Sequence, residues 1–91
     1  SNPAVQVLAL KEAVEFAENS TCVVTLTLER LGIRVSGRRL EQNTEGKTIN
    51  ALRCDRFVAW EDVWLTARVN PLIEAIKRVE ASLNLPHRGA A

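Results

Sequence analysis

The sequence predicts an α+β fold: an N-terminal helix, a small two- or three-stranded antiparallel meander, and a kinked C-terminal helical segment packed on one face. Apolar residues recur with helical spacing near both ends of the chain. Between them, a stretch rich in Thr and Val alternates between apolar and polar positions, which is typical of strands. A chain of 91 residues can bury one modest core, so we expect a single domain over residues 1–91.

The first predicted helix covers residues 3–19. Four apolar residues recur along it every three or four positions: Val7, Leu10, Val14 and Ala17. This spacing is typical of a helix face that packs against a core. Pro3 suits the first turn, where the amide hydrogen that proline lacks is not needed. The sequence contains no Met, so we expect residues 1–2 to be a remnant of tag cleavage.

A strand is predicted over residues 21–28. Its residues alternate between two faces, and the apolar face holds Cys22, Val24, Leu26 and Leu28. Such alternation is typical of a strand that is buried on one side. We expect a hairpin turn over residues 29–32, in which Gly32 takes the left-handed conformation and adds a bulge. A helix is the alternative for residues 21–31.

The returning strand has an apolar residue on each side of Arg34, which predicts that this side chain faces solvent. Leu40 breaks the alternation, so we expect a bulge or a second tight turn at residues 36–37. An exposed loop over residues 41–47 and a third strand over residues 48–58 complete the meander. A helix is the alternative for the last of these segments, because its apolar residues also approximate a helical stripe.

The last third of the chain has the clearest helical pattern. Its apolar stripe steps by three and four residues and consists of Leu65, Val69, Leu72, Ile76, Val79 and Leu83. Asn70 is a good helix cap and Pro71 suits a first turn, so the pair predicts a kink or two helices in line. Residues 86–91 are expected to form a flexible tail.

Composition argues against several classes of protein. The chain has 12 Lys and Arg against 11 Asp and Glu, so it lacks the strongly basic field of many nucleic-acid binders. Its apolar runs are far shorter than the roughly 20 residues that cross a bilayer, and it shows no secretory signal. Its two cysteines are too few for a disulfide-stapled scaffold. We therefore expect a cytoplasmic protein that does not bind membranes.

Catalytic groups are scarce in this sequence. His87 is the one histidine and lies in the predicted tail, and tyrosine is absent. No Ser–His or Cys–His pair is predicted on that basis, and we expect no enzyme activity, no cofactor and no metal. Cys54 is flanked by Arg53 and by Asp55 and Arg56. Because nearby cations favour a thiolate, a thiol-dependent enzyme that uses Cys54 is kept as a third hypothesis.

The leading hypothesis is a small regulatory protein, an adaptor or inhibitor, that acts through protein–protein contacts. Trp60 and Trp64 are four residues apart, and tryptophan is enriched at binding hot spots. We expect them, with Leu65 and Arg68, to bind a partner. A sheet edge is the other candidate surface. We also expect a homodimer.

The second hypothesis is a nucleic-acid-binding accessory protein. Arginine outnumbers lysine nine to three, and the candidate phosphate contacts are Arg34, Arg38, Arg39, Arg53 and Arg56. No aromatic residue lies among the arginines of the hairpin, which argues against stacking on single strands. Arginine also protects sheet edges and is common at protein interfaces, so the protein-partner hypothesis ranks higher.

Overall fold

The computed structural model describes residues 2–64 and 68–89. The elements follow in the order α1 (Pro3–Ala17), β1 (Val23–Leu28), β2 (Gly32–Gln42), β3 (Thr48–Ala59) and α2 (Pro71–Ser82), with a short 3₁₀ turn at Trp60–Asp62. The strands form one antiparallel sheet in the order β1-β2-β3. The predicted α+β class is confirmed, and both segments for which a helix was the alternative are strands.

The two helices cover one face of the sheet, which we call the helix face. Ile33 and Val35 of β2 point to it and are fully buried against the helices. Arg34 lies between them on the opposite, open face, with its side chain 39% exposed, so its predicted orientation is confirmed. Because paired residues share a face, the register places Thr25, Ser36 and Asp55 in one row across the open face.

Gly37 brings α2 close to the centre of the sheet. It lies on the helix face of β2, where a Cβ atom would come within 2.1 Å of Cγ1 of Val79 and 3.2 Å of Cδ1 of Leu83. Ordinary contacts between carbon atoms are about 3.5–4.0 Å long. The absence of a side chain at this position therefore sets how closely the C-terminal helix packs.

The buried face of α1 differs from the predicted one. Ala9 and Ala13 are completely buried, whereas Val7 is 67% and Val14 is 46% exposed. Asn70 donates from Nδ2 to the carbonyl oxygen of Ala9 at 2.9 Å and helps to hold this side of the helix. The prediction that Val7 and Val14 belong to the core stripe is therefore wrong.

The turn between β1 and β2 also differs from the prediction. Gly32 does not have a positive φ, so it does not take the left-handed conformation. It is needed for close approach instead, because a Cβ atom there would lie 2.2 Å from the carbonyl oxygen of Val58 and 2.8 Å from Cα of Ala59. Both are backbone atoms of β3, and a side-chain rotation cannot relieve such a contact.

The hairpin of β2 and β3 extends past the end of β1. The last β1 pair joins Val23 to Arg38, whereas β2 continues to pair with β3 as far as Gln42. The irregularity that was predicted at residues 36–37 lies further along, between Arg39 and Leu40, where Ala51 is the extra residue of β3. This arm gives the molecule a radius of gyration of 14.1 Å, against about 12 Å for a compact chain of this length.

The C-terminal helix begins at the predicted cap. Oδ1 of Asn70 accepts a hydrogen bond from the amide of Leu72 at 3.0 Å, and Pro71 occupies the first turn. Residues 68–70 are not helical, so the structure shows a helix that starts at Pro71 rather than one that bends there. Leu65, the first residue of the predicted stripe, lies outside the described residues, and Val69 is exposed.

The chain after α2 is tied to the rest of the molecule, at positions where we expected a flexible tail. His87 pairs with Ser20 in an isolated bridge. The hydroxyl of Thr21 donates to the carbonyl oxygen of Pro86 at 2.6 Å, and the amide of Arg88 donates to the carbonyl oxygen of Asn19 at 2.7 Å. The residues up to Arg88 are therefore docked beside the start of β1.

Candidate interaction surface

The two tryptophans lie in different environments. Trp60 is half-buried against the core, and its Nε1 donates to the carbonyl oxygen of Glu29 at 2.9 Å. Trp64 is 58% exposed and follows the 3₁₀ turn, which ends at Asp62, so the two indoles do not lie on one face of a helix. Arg68 is exposed in the non-helical segment before α2. Leu65 lies outside the described residues.

The five candidate arginines do not share one surface. The register places Arg34, Arg38 and Arg53 on the open face of the sheet. Arg39 pairs with Leu52 and Arg56 pairs with Val35, which puts both on the side of the helices. The structure therefore places on two different faces the five arginines that the sequence analysis proposed as one group of phosphate contacts.

Acidic neighbours neutralise three of these arginines. Nε of Arg34 lies 2.7 Å from a carboxylate oxygen of Glu29, and that hydrogen bond, together with the opposite charge, raises the pKa of the guanidinium. Arg39 pairs with Glu41. Because their charges are already paired, these arginines offer little net positive charge to phosphates.

Asp55 is the third neutralising acid. Nε of Arg53 donates to it at 3.1 Å, and this hydrogen bond, with one from Ser36, lowers the pKa of the Asp55 carboxyl. Arg38, in the same row as Arg53, has no acidic partner within residues 2–64 and 68–89. It is therefore the one candidate on the open face whose charge is not matched in the described chain.

His87 is more firmly held than the sequence indicated. Its Nδ1 lies 2.8 Å from Oε2 of Glu80, and the two side chains are 15% and 5% exposed. The imidazole stacks on the ring of Phe16 at 3.8 Å between centroids. Since this pair joins the C-terminal segment to both helices, we interpret it as a structural contact. Sequence reasoning missed it because no local pattern connects positions 16, 80 and 87.

Both cysteine thiols pack against other residues. Cys22 is buried, with its Sγ 3.1 Å from Oγ of Ser20. Cys54 is half-buried on the helix face opposite Gly37 and packs against the core. Within the described residues, no three His, Cys, Asp or Glu side chains are grouped as a metal site would require.

The most distinctive surface is the outer side of β1. This strand is at the edge of the sheet, and its sequence from Val23 to Leu28 contains no charged residue. A groove of about 400 Å³ runs between it and α1. The residues that line this β1 groove are Val14, Ala17, Glu18, Val24, Thr25 and Leu26.

Exposed apolar side chains continue from the β1 groove in both directions. Val7 lies two turns before Val14 on α1, and Leu28, at the end of β1, is 60% exposed. Natural edge strands are usually protected by charges, prolines or bulges. The uncharged composition of β1 was visible in the sequence and is the signal that could have indicated this site.

The fold and this surface define a small α+β domain with an open, uncharged sheet edge. No protein family model, curated protein or solved structure matches the chain. None of the helices in the described part of the chain is long and apolar enough to span a bilayer.

Proposed function

We propose that this chain is a non-enzymatic protein-interaction domain and that the β1 groove is its binding surface. The observation that carries the proposal is the uncharged edge strand beside an exposed apolar stripe of α1. An edge strand offers a row of backbone amides and carbonyls to an incoming strand. The protein partner is therefore expected to bind in an extended conformation.

The backbone of β1 and the apolar side chains that line the groove have separate roles in such a complex. Main-chain hydrogen bonds along β1 supply affinity that does not depend on the partner's sequence. Side chains of the added strand alternate between faces, so every second one would enter the groove beside Val14 and Leu26. The apolar lining then selects partners with aliphatic residues at alternate positions.

The protein-partner hypothesis is favoured over the nucleic-acid hypothesis by the distribution of charge. The β1 groove contains one charged side chain, Glu18, and it is acidic. Three of the five candidate arginines are already paired with carboxylates. Phosphate recognition needs positive charge that is free to replace counterions, and the described surface concentrates little of it in one place.

A display selection of random peptides tests the proposal. We expect the full chain to select extended peptides with alternating aliphatic residues, and Val14→Lys to weaken their binding at least tenfold. Val69→Lys is the matched control, because Val69 has nearly the same exposed fraction, 45% against 46%, and does not line the groove. The proposal is wrong if bound peptides respond equally to both substitutions, or if nothing is selected and the chain does not associate with itself.

A further inference from the structure

We infer that the strand which occupies the β1 groove is β1 of a second copy of this chain. This inference rests on the proposed function and names the partner. The two β1 strands run antiparallel about a two-fold axis at Leu26, so that Leu26 faces Leu26 of the second copy. Thr25 then faces Thr27, and Val24 faces Leu28, across the new edge.

The faces of the sheet restrict the register. A slip of one residue moves every side chain to the other side, so a continuous sheet requires helix-face residues to oppose helix-face residues. Val24, Leu26 and Leu28 share the helix face, because their partners in β2 are Gly37, Val35 and Ile33. Pairing about Leu26 meets this condition and, unlike pairing about Thr25, also gives the exposed Leu28 a partner in β1, namely Val24 of the other copy.

Charge favours this self-pairing. Like charges that lie directly opposite each other destabilise a strand pair, and β1 contains none. The threonines of the open face come opposite one another, and Thr–Thr pairs are favourable across strands. A strand this free of charge is a hazard at an exposed edge, and a closed two-fold pair removes that edge from solvent.

The exposed Leu28 supplies the apolar contact. It is 60% exposed in the single chain, and the two-fold axis places it beside Val24 of the other copy, within the groove lined by Val14 and Ala17. In the dimer, the exposed Leu28 of one copy thus fills the open groove of the other copy. Because the axis repeats the contact, each copy fills the groove of its partner.

Opposite charges meet at the two ends of the paired strands. Glu18 lines the groove beside the start of β1, and Arg30 follows the end of β1. Both are exposed, and neither forms an ion pair with another residue in the described ranges. The antiparallel arrangement brings Arg30 of each copy to the end of the groove that carries Glu18 of the other.

Sedimentation equilibrium of the full chain tests the inference. We expect a discrete dimer, and we expect Leu28→Lys to raise its dissociation constant at least a hundredfold, because two lysines enter apolar grooves. Leu52→Lys, on the exposed arm of β3, is the control and is expected to leave the dimer unchanged. Thermal unfolding of both variants by circular dichroism verifies that each remains folded.

A charge exchange tests the register. Glu18→Arg alone and Arg30→Glu alone are each expected to weaken the dimer several-fold, and the double variant is expected to recover most of the loss. A dimer that responds equally to Leu28→Lys and Leu52→Lys, or a double variant weaker than both single ones, overturns the inference. A monomer that still binds extended peptides in the groove overturns it while the proposed function stands, and a monomer that binds nothing removes both.

Discussion

The packing of α2 against the sheet depends on Gly37, so Gly37→Ala is a direct test of the core. The new Cβ atom would lie 2.1 Å from Cγ1 of Val79, which is more than 1 Å shorter than an ordinary contact. Valine in a helix has one strongly preferred rotamer, so Val79 cannot easily turn away. The helix has to move away from β2, and the other core contacts of Val79 loosen with it.

The expected loss of stability can be estimated from two opposing effects. Forcing an extra methyl group into a well-packed core costs about 1–3 kcal/mol, and this contact is short enough for the upper part of that range. Replacing glycine by alanine restricts the unfolded chain, which returns about 0.4–1 kcal/mol. The net decrease in the free energy of unfolding is therefore about 1–2 kcal/mol, and the melting temperature should fall by roughly 4–16 °C.

Urea unfolding of four proteins measures the effect and its cause: the parent chain, Gly37→Ala, Val79→Ala and the double variant. Val79→Ala removes the methyl group that the new Cβ atom would meet, so the double variant should be more stable than the sum of the single losses by about 1 kcal/mol or more. Gly46→Ala is the control, because a Cβ atom there meets nothing within 4 Å and its cost should add to that of Val79→Ala. Additive losses for Gly37→Ala and Val79→Ala would show that the new Cβ atom and Val79 do not collide.

Three further predictions concern single contacts. Asn70→Ala should lower the free energy of unfolding by about 1–2 kcal/mol in urea titrations, because a buried helix cap is lost, whereas the exposed cap Asn2 should matter less when replaced in the same way. His87→Phe can keep the stacking on Phe16 but leaves the buried carboxylate of Glu80 without its partner, so the free energy of unfolding should fall by about 2 kcal/mol in the same assay. An unchanged stability would contradict the structural role of His87. The pKa of Asp55 is lowered in the folded chain, so the parent should be more stable than Asp55→Asn above about pH 4. This difference in stability should vanish as the pH falls further, and thermal melts from about pH 2 to about pH 7 measure it.

The strands were predictable because their signal is local. Alternation of Thr with Val and Leu identified β1, and the same periodicity identified β3 despite a competing helical pattern. The cap formed by Asn70 and Pro71 located the start of α2 to the residue. Each of these features depends on neighbours within a few positions, which is the range over which propensity and capping act.

The role of glycine was not predictable in the same way. Glycine serves both where φ is positive and where another backbone comes too close for a side chain, and the two uses look identical in a sequence. Gly32 was assigned to the first use and belongs to the second. The close approach at Gly37 depends on Val79, 42 positions away, so no local pattern could show it.

The candidate site was hidden for a related reason. Helix α1 is apolar on several sides, so its sequence offers more than one face that could be buried. Alanine allows helices to approach closely, and α1 buries Ala9 and Ala13 rather than its valines. The spacing of Val7 and Val14 is compatible with a core stripe, and only the packing partner decides which of the two faces is covered.

The position of α2 explains why the edge of the sheet is left open. With Gly37 beneath it, α2 lies close over β2 and β3, and α1 packs mainly on α2 rather than on β1. Val14 of α1 then lines the outside of the molecule beside β1, and the groove follows from the arrangement of the core. Its exposure is thus built into the folded state, so a variant that weakens binding at Val14 need not destabilise the chain. Binding at the groove can therefore be tested separately from the stability of the fold.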